Sequence, residues 1–175
     1  MSQNSPRNGW HSLAFIALGA LVADQVSKYV VEKSIAVGPD HGHVIVPGLV
    51  TLVHTTNPGV AFGLGAESTA PWMAPLLILF SISVIALLVW LLATNRAGGW
   101  FGQCGLALIL GGAVGNVLDR VLRHSVTDFI DFHIGGYHWY TFNLADSAIV
   151  IGAALVVFEL FRDWRHPSQE RASDG

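Results

Sequence analysis

The apolar positions of this chain gather into four long runs, and three stretches of mixed polarity separate them. A hydrocarbon core about 30 Å thick needs about 20 mostly apolar residues at about 1.5 Å each. Residues 72–93 meet that length without one charged side chain, and Phe101–Leu118 is also uncharged and rich in Gly and Ala. The first run, Leu13–Val31, is interrupted by Asp24 and Lys28, and the last, Leu144–Phe161, carries Asp146 near its start and Glu159 near its end. Tryptophan concentrates at membrane interfaces, and Trp10, Trp72, Trp90, Trp100, Trp139 and Trp164 all fall at or just outside an end of these runs. The pattern predicts four membrane-spanning helices, over about 13–31, 72–93, 101–120 and 144–161.

The two long connections, 32–71 and 123–141, then lie on one side of the membrane. His43–Thr56 is dense in Val, Leu and Thr around a Pro47-Gly48 turn, and Ser125–Tyr140 is apolar and aromatic around Gly135-Gly136, so both read as hairpins. Irregular backbone cannot face lipid, which puts these segments at or above the interface. The 175 residues are expected to form a single membrane domain with a polar tail over 165–175.

Composition supports the same solvent. The chain is 52% apolar and only 12% charged, where soluble domains carry about 25% charge. A net charge of -3 with 9 Lys and Arg leaves no basic surface for nucleic acid. The single Cys104 excludes a disulfide framework and Cys-rich zinc modules, and reads as small-residue packing. Five basic residues (Arg7, Arg96, Arg162, Arg165, Arg171) fall on the side of the termini and two (Lys33, Arg123) on the other, which favours cytoplasmic termini. The run Leu13–Ala23 has the length of a signal-peptide core, but without an A-x-A site it is expected to remain as an anchor.

Ionisable groups in a membrane cost at least about 2.5–3.5 kcal/mol each on insertion scales, so those present are functional candidates. Asp24 and Lys28 lie four apart on one helix face, either a self-neutralising pair or part of a site. Asn57-Pro58-Gly59 is by itself an ordinary turn. Asn116 and the Asp119-Arg120 pair close the third span; Asp119 faces the negative end of the helix dipole, and Arg120 or Lys28 could offset it as a structural ion pair. Asn143 and Asp146 could be the N-cap and N3 residues of the last helix, which leaves Asp128 in the preceding loop unexplained. If that loop folds over the helix end, Asp128 and Asp146 approach each other, and one keeps a proton while the other ionises. Peptide hydrolysis by activated water needs that split. The eight histidines form no H-E-x-x-H and no Glu-x-x-His, so a zinc protease or di-iron bundle lacks its ligands. An ion-coupled transporter would need a polar path across the whole membrane, and a scaffold would leave both carboxylates without a role.

Five segments in order closely resemble the bacterial lipoprotein signal peptidase family, signal peptidase II: Asp24-Gln25-Val26-Ser27-Lys28, Asn57-Pro58-Gly59-Val60-Ala61-Phe62, residues 111–120 from Gly111 to Arg120, Val126-Thr127-Asp128-Phe129, and Phe142-Asn143-Leu144-Ala145-Asp146-Ser147. The resemblance implies a membrane α-helical fold, four transmembrane helices with a small β-rich periplasmic cradle and lid, in the bacterial cytoplasmic membrane. It implies an aspartic endopeptidase that cuts diacylglyceryl-modified prolipoproteins just before the lipid-modified Cys, without metal or cofactor, and that globomycin-type cyclic peptides inhibit. The catalytic pair maps onto Asp128 and Asp146, while Asp24, Lys28, Asn57, Gly59, Asn116, Asp119, Arg120 and Asn143 organise the pocket or hold substrate. His124 stands where the family usually has Gly, and Thr127 where it commonly has Val. The helix dipole favours negative charge at Asp146, which leaves Asp128 as the holder of the shared proton.

Overall fold

A computed structural model describes residues 7–59, 72–96 and 98–165. Its element order is α1 (Arg7–Ser34), β1 (Gly38–Val46), β2 (Val50–Asn57), α2 (Met73–Ala93), α3 (Trp100–Arg123), β3 (Val126–Ile134), β4 (Tyr137–His138) and α4 (Leu144–Arg165). All four helices are long and apolar enough to cross a membrane. α2 keeps to its predicted span, whereas α1, α3 and α4 outrun theirs, because the apolar run marks the stretch that lipid requires while the helix continues through polar residues such as Glu32 and Lys33. Residues 60–71, including Val60-Ala61-Phe62 of the first loop motif, and the tail from 166 onward lie outside the described residues.

The third helix packs against each of the other three. Leu13 of α1, Leu88 and Leu92 of α2, and Leu106 and Ala107 of α3 form one buried cluster. Small residues set the spacing between helices. A methyl group on Gly105 would lie 2.5 Å from the Gly152 carbonyl oxygen of α4, and one on Gly152 would meet the Gly105 carbonyl at the same distance, so the two backbones touch directly. Cys104 is half-buried beside this cluster, as its small size predicts.

Both expected hairpins form, and they join into one antiparallel sheet of four strands in the order β1-β2-β3-β4. Gly48 at φ 75° turns the first hairpin and Gly135 at φ 60° the second, conformations that residues with a Cβ rarely adopt. Val31, Ile35 and Phe129 bury together at the end of α1, with Leu52, Ile130 and Leu144 against them, and this second cluster anchors the sheet to one end of the bundle. The chain entering α4 pairs with the sheet as well: Phe129 and Ile130 both donate their N–H to the Phe142 carbonyl, at 3.0 and 2.8 Å, and Phe142 N–H returns to Ile130. That short bridge fixes Asn143 beside Asp128.

Candidate active site

Four buried or half-buried charges brace the end of the bundle under the sheet. Lys28 and Asp24, one turn apart on α1, are both fully buried, and Lys28 Nζ sits 2.8 Å from Asp24 Oδ2. The same ammonium lies 2.7 Å from Asp119 Oδ2 of α3 and donates to Asn116 Oδ1 at 3.0 Å. Two of its contacts are hydrogen bonds, to Asp24 and Asn116, and the third, to Asp119, is an ion pair. Asp119 Oδ1 accepts from Arg123, one turn on, and from Gln25 Nε2 at 3.1 Å. Asp24 Oδ1 accepts the Ala145 N–H at 2.9 Å, so a carboxylate of the first helix satisfies an otherwise orphaned amide in the first turn of the last. Two carboxylates and two cations sum to zero, which is what a site removed from water requires.

The cation partner of Asp119 differs from the sequence expectation in one respect. Lys28 serves as expected, but Arg123 and not Arg120 is the second cation. Successive residues on a helix point about 100° apart, whereas residues four apart share a face. Arg120 turns elsewhere, donating to the Asn116 carbonyl at 3.1 Å and to the Gly59 carbonyl at 3.3 Å. Gly59 N–H in turn donates to Asn57 Oδ1 at 3.0 Å, which closes the Asn-Pro-Gly turn as an Asx turn.

Above the charges stand three asparagines and two aspartates. Asn143 is fully buried and touches both carboxylates: its Nδ2 donates to Asp128 Oδ1 at 2.7 Å and lies 3.3 Å from Asn116 Oδ1, while its Oδ1 accepts the Asp146 N–H at 3.0 Å. Asp146 Oδ2 reaches back to the Asn143 N–H at 3.3 Å, so the reciprocal capping of α4 is present together with the approach to Asp128. Asn116 Nδ2 donates to Asp146 Oδ1 at 2.9 Å, and Asn57 Nδ2 donates to Asp128 Oδ2 at 3.2 Å. Every asparagine therefore both holds a carboxylate and is itself held.

Asp128 is buried on β3, opposite Thr55 of β2. Burial, reinforced by the nearby charge of Asp146, pushes its carboxyl up to about 6, while hydrogen bonds from Asn57 and Asn143 pull the other way. Both carboxylates line a cavity of about 720 Å³. Asn57, Asn116, Arg120, Thr141 and Ser147 add to its polar wall, and Trp139, Phe142, Ile149, Val150 and Ile151 to its apolar one.

All ten residues singled out in the sequence meet at this end of the bundle. Several partners escaped the sequence reading. Gln25 links Asp24 to Asp119, and Glu32 accepts from the Thr127 hydroxyl at 2.8 Å while facing Arg123 at 3.3 Å. The hydroxyl accounts for Thr at a position where Val is usual in the resembled family. His124 ends α3 at φ 61°, the left-handed conformation that glycine adopts without strain, which accounts for the Gly usual at this position in the resembled family but gives His no structural explanation. At the far end of the bundle buried Glu159 accepts from Gly102 N–H at 3.3 Å and pairs with Arg162. Gly102 and Asn116 are 14 positions apart on α3, roughly 20 Å along its axis, so the two polar ends are separate.

Comparison with known proteins places the chain by sequence and by fold. Residues 16–162 match the family described as signal peptidase (SPase) II. A lipoprotein signal peptidase of Solibacter usitatus is 42% identical over 89% of this chain and 93% of its own. That of Maridesulfovibrio salexigens is 33% identical over 89% of this chain and 99% of its own. Two solved structures of bacterial membrane enzymes superpose with TM-scores of 0.79 and 0.75 at 28% and 29% identity, covering 91% and 87% of this chain and 93% and 94% of theirs. With family match, relatives and fold in agreement along nearly the whole sequence, this multi-pass membrane protein belongs to the signal peptidase II family of proteases.

Proposed function

We propose that this protein removes the signal peptide from diacylglyceryl-modified bacterial prolipoproteins, cutting just before the lipid-modified Cys with water activated between Asp128 and Asp146. The observation that carries this reading is that Asn143 donates to both carboxylates at one cavity, to Asp128 from its side-chain amide and to Asp146 from its backbone N–H. Family membership supports the peptidase activity and the relatives' names the lipoprotein substrate.

In this reading Asp146, in the first turn of α4 where the helix dipole favours negative charge, takes a proton from water. The resulting hydroxide attacks the scissile carbonyl, whose developing oxyanion receives the proton of Asp128. When the tetrahedral intermediate collapses, the C–N bond breaks, the proton on Asp146 passes to the leaving amine of the Cys, and the new carboxyl end returns one to Asp128. Asn116 and Asn143 hold the carboxylates in register, Asn57 holds Asp128 and the turn at Gly59, and Arg120 offers a cation to substrate backbone. Asp24, Lys28 and Asp119 keep the helix ends together beneath them. The apolar wall from Ile149 to Ile151 suits the signal peptide, with the diacylglyceryl chains remaining in membrane lipid. A globomycin-type cyclic peptide would occupy the same cavity. The sheet side faces the periplasm, with the termini in the cytoplasm of a bacterial cell whose inner membrane holds the protein as one domain.

The test is cleavage of a purified diacylglyceryl-modified prolipoprotein. Wild type should cut before the modified Cys, and Asp128→Asn and Asp146→Asn should each lose at least about 10³-fold in kcat while keeping the helical content of wild type in detergent. Normal cutting by either variant overturns the paired-aspartate mechanism. An inactive wild type overturns the substrate assignment.

A further inference from the structure

A second hollow, of about 390 Å³, adjoins the catalytic cavity, and the two share Trp139 and Thr141 as a common rim. Its polar side is built from Thr51 of β2, Asp131 and His133 of β3 and His138 of β4. Asp131 Oδ1 and Oδ2 lie 3.0 and 2.8 Å from His138 Nδ1. His138 stacks on His133 with ring centroids 4.8 Å apart, and His133 Nε2 lies 3.1 Å from Thr51 Oγ1. Neither histidine faces the catalytic carboxylates through any of these contacts, so the cluster stands outside the machinery described above.

We propose that this hollow seats the second and third residues of the mature chain, and that Asp131 with its histidines selects side chains that donate a hydrogen bond over those that carry a carboxylate. The proposal rests on the peptidase reading and adds a specificity site to it. The two cavities differ in wall chemistry in the way a signal-peptide junction differs along its length. The catalytic cavity takes apolar residues from α4, a membrane-spanning helix, whereas the residues lining the second hollow all lie outside the helices. The apolar signal segment belongs with the first and the polar mature segment with the second.

Distance agrees with this assignment. Asp131 is three residues beyond Asp128 on β3, roughly 10 Å at about 3.3 Å per residue, and because strand side chains alternate faces the path between them runs over the shared rim of Trp139 and Thr141. An extended substrate starting from a scissile bond at Asp128 covers that span in about three residues, and the Cys that supplies the leaving amine is the first of them. Open valences give the preference. One His138 proton cannot occupy all lone pairs of the Asp131 carboxylate, which lines the hollow. A hydroxyl, amide or ammonium from the substrate suits the acceptor positions left open. A substrate carboxylate there meets Asp131 as a like charge.

The experiment compares three diacylglyceryl-modified prolipoproteins that carry Ser, Lys or Asp at both positions following the modified Cys, cut by wild type, Asp131→Asn and His138→Gln. The readout is the ratio of kcat/KM between substrates, which does not depend on how much of each preparation is folded. Wild type should favour the Ser and Lys substrates over the Asp substrate by about tenfold, chiefly through KM, and Asp131→Asn should bring the ratios within about twofold. His138→Gln should shift the ratios while retaining the preference for donors. Equal rates on all three substrates with wild type, or ratios unchanged in Asp131→Asn, overturn the specificity site and leave the peptidase reading intact. Failure of wild type on every substrate overturns the peptidase reading, and the site with it.

Discussion

A carboxyl group packed into a sheet beside another carboxylate keeps its proton to higher pH than one in water, and Asp128, pushed up to about 6, is in that position. If its protonated form is the acid of the reaction, activity declines as pH rises through the titration of the pair, and declines again at low pH once Asp146 also binds a proton. The hydrogen bond from Asn57 favours the charged form of Asp128, so removing it raises the carboxyl further. Asn57→Ala should therefore move the alkaline limb of the kcat profile to higher pH, measured on the prolipoprotein substrate; a limb that moves down contradicts the assignment of the acid. A separate residue-scale effect concerns His124, held left-handed at φ 61°. Here the glycine carries no Cβ strain, and His124→Gly should raise stability by about 0.5–1 kcal/mol, read as a higher unfolding midpoint in detergent.

Helices in lipid gain little from burying apolar surface, so their association depends on close packing, and α3 achieves it through small residues. At Gly115 the neighbour is not backbone but the site itself: a Cβ there would lie 2.6 Å from Asp24 Oδ2. Gly115→Ala should push Asp24 off the Ala145 amide and Lys28, cost about 1–3 kcal/mol in stability, and lower kcat more than KM, checked by thermal unfolding and steady-state cleavage. What the sequence makes legible at this scale follows from how local each signal is. The four spans are runs that lipid itself demands, and the hairpins are marked by Pro47-Gly48 and Gly135-Gly136. Carboxylates and amides near span ends stood out because a membrane penalises them, which is why Asp24, Asn116, Asp119 and Asp146 could be picked without coordinates. Arg123 was not, since adjacency made Arg120 look closer to Asp119 although the helical turn gives the position to the residue four on. Nor was the Asp131–His138 contact, which depends on where β4 pairs along β3.

For the molecule as a whole, the shared ammonium of Lys28 ties α1 to α3 beneath the sheet, and through Asp24 the tie reaches α4. Lys28→Met leaves Asp24 and Asp119 facing each other without their common cation. Removing one partner from a buried network costs about 3–5 kcal/mol, and the variant should unfold at markedly lower temperature than wild type and recover in part when Asp24→Asn is added. A double variant whose loss equals the sum of the two single losses would mean the residues act independently. The arrangement of these charges also bears on how the protein is made. Asp24 and Lys28 are one turn apart on α1, and Asp119 and Arg123 one turn apart on α3, so each helix leaves the ribosome with an acid already beside its own base. Each pair can enter the bilayer as a neutral unit before its neighbour exists, and when α3 arrives the ammonium of α1 reaches across to Asp119 while keeping Asp24. The polar centre is assembled in the membrane by adding partners to charges that were never alone.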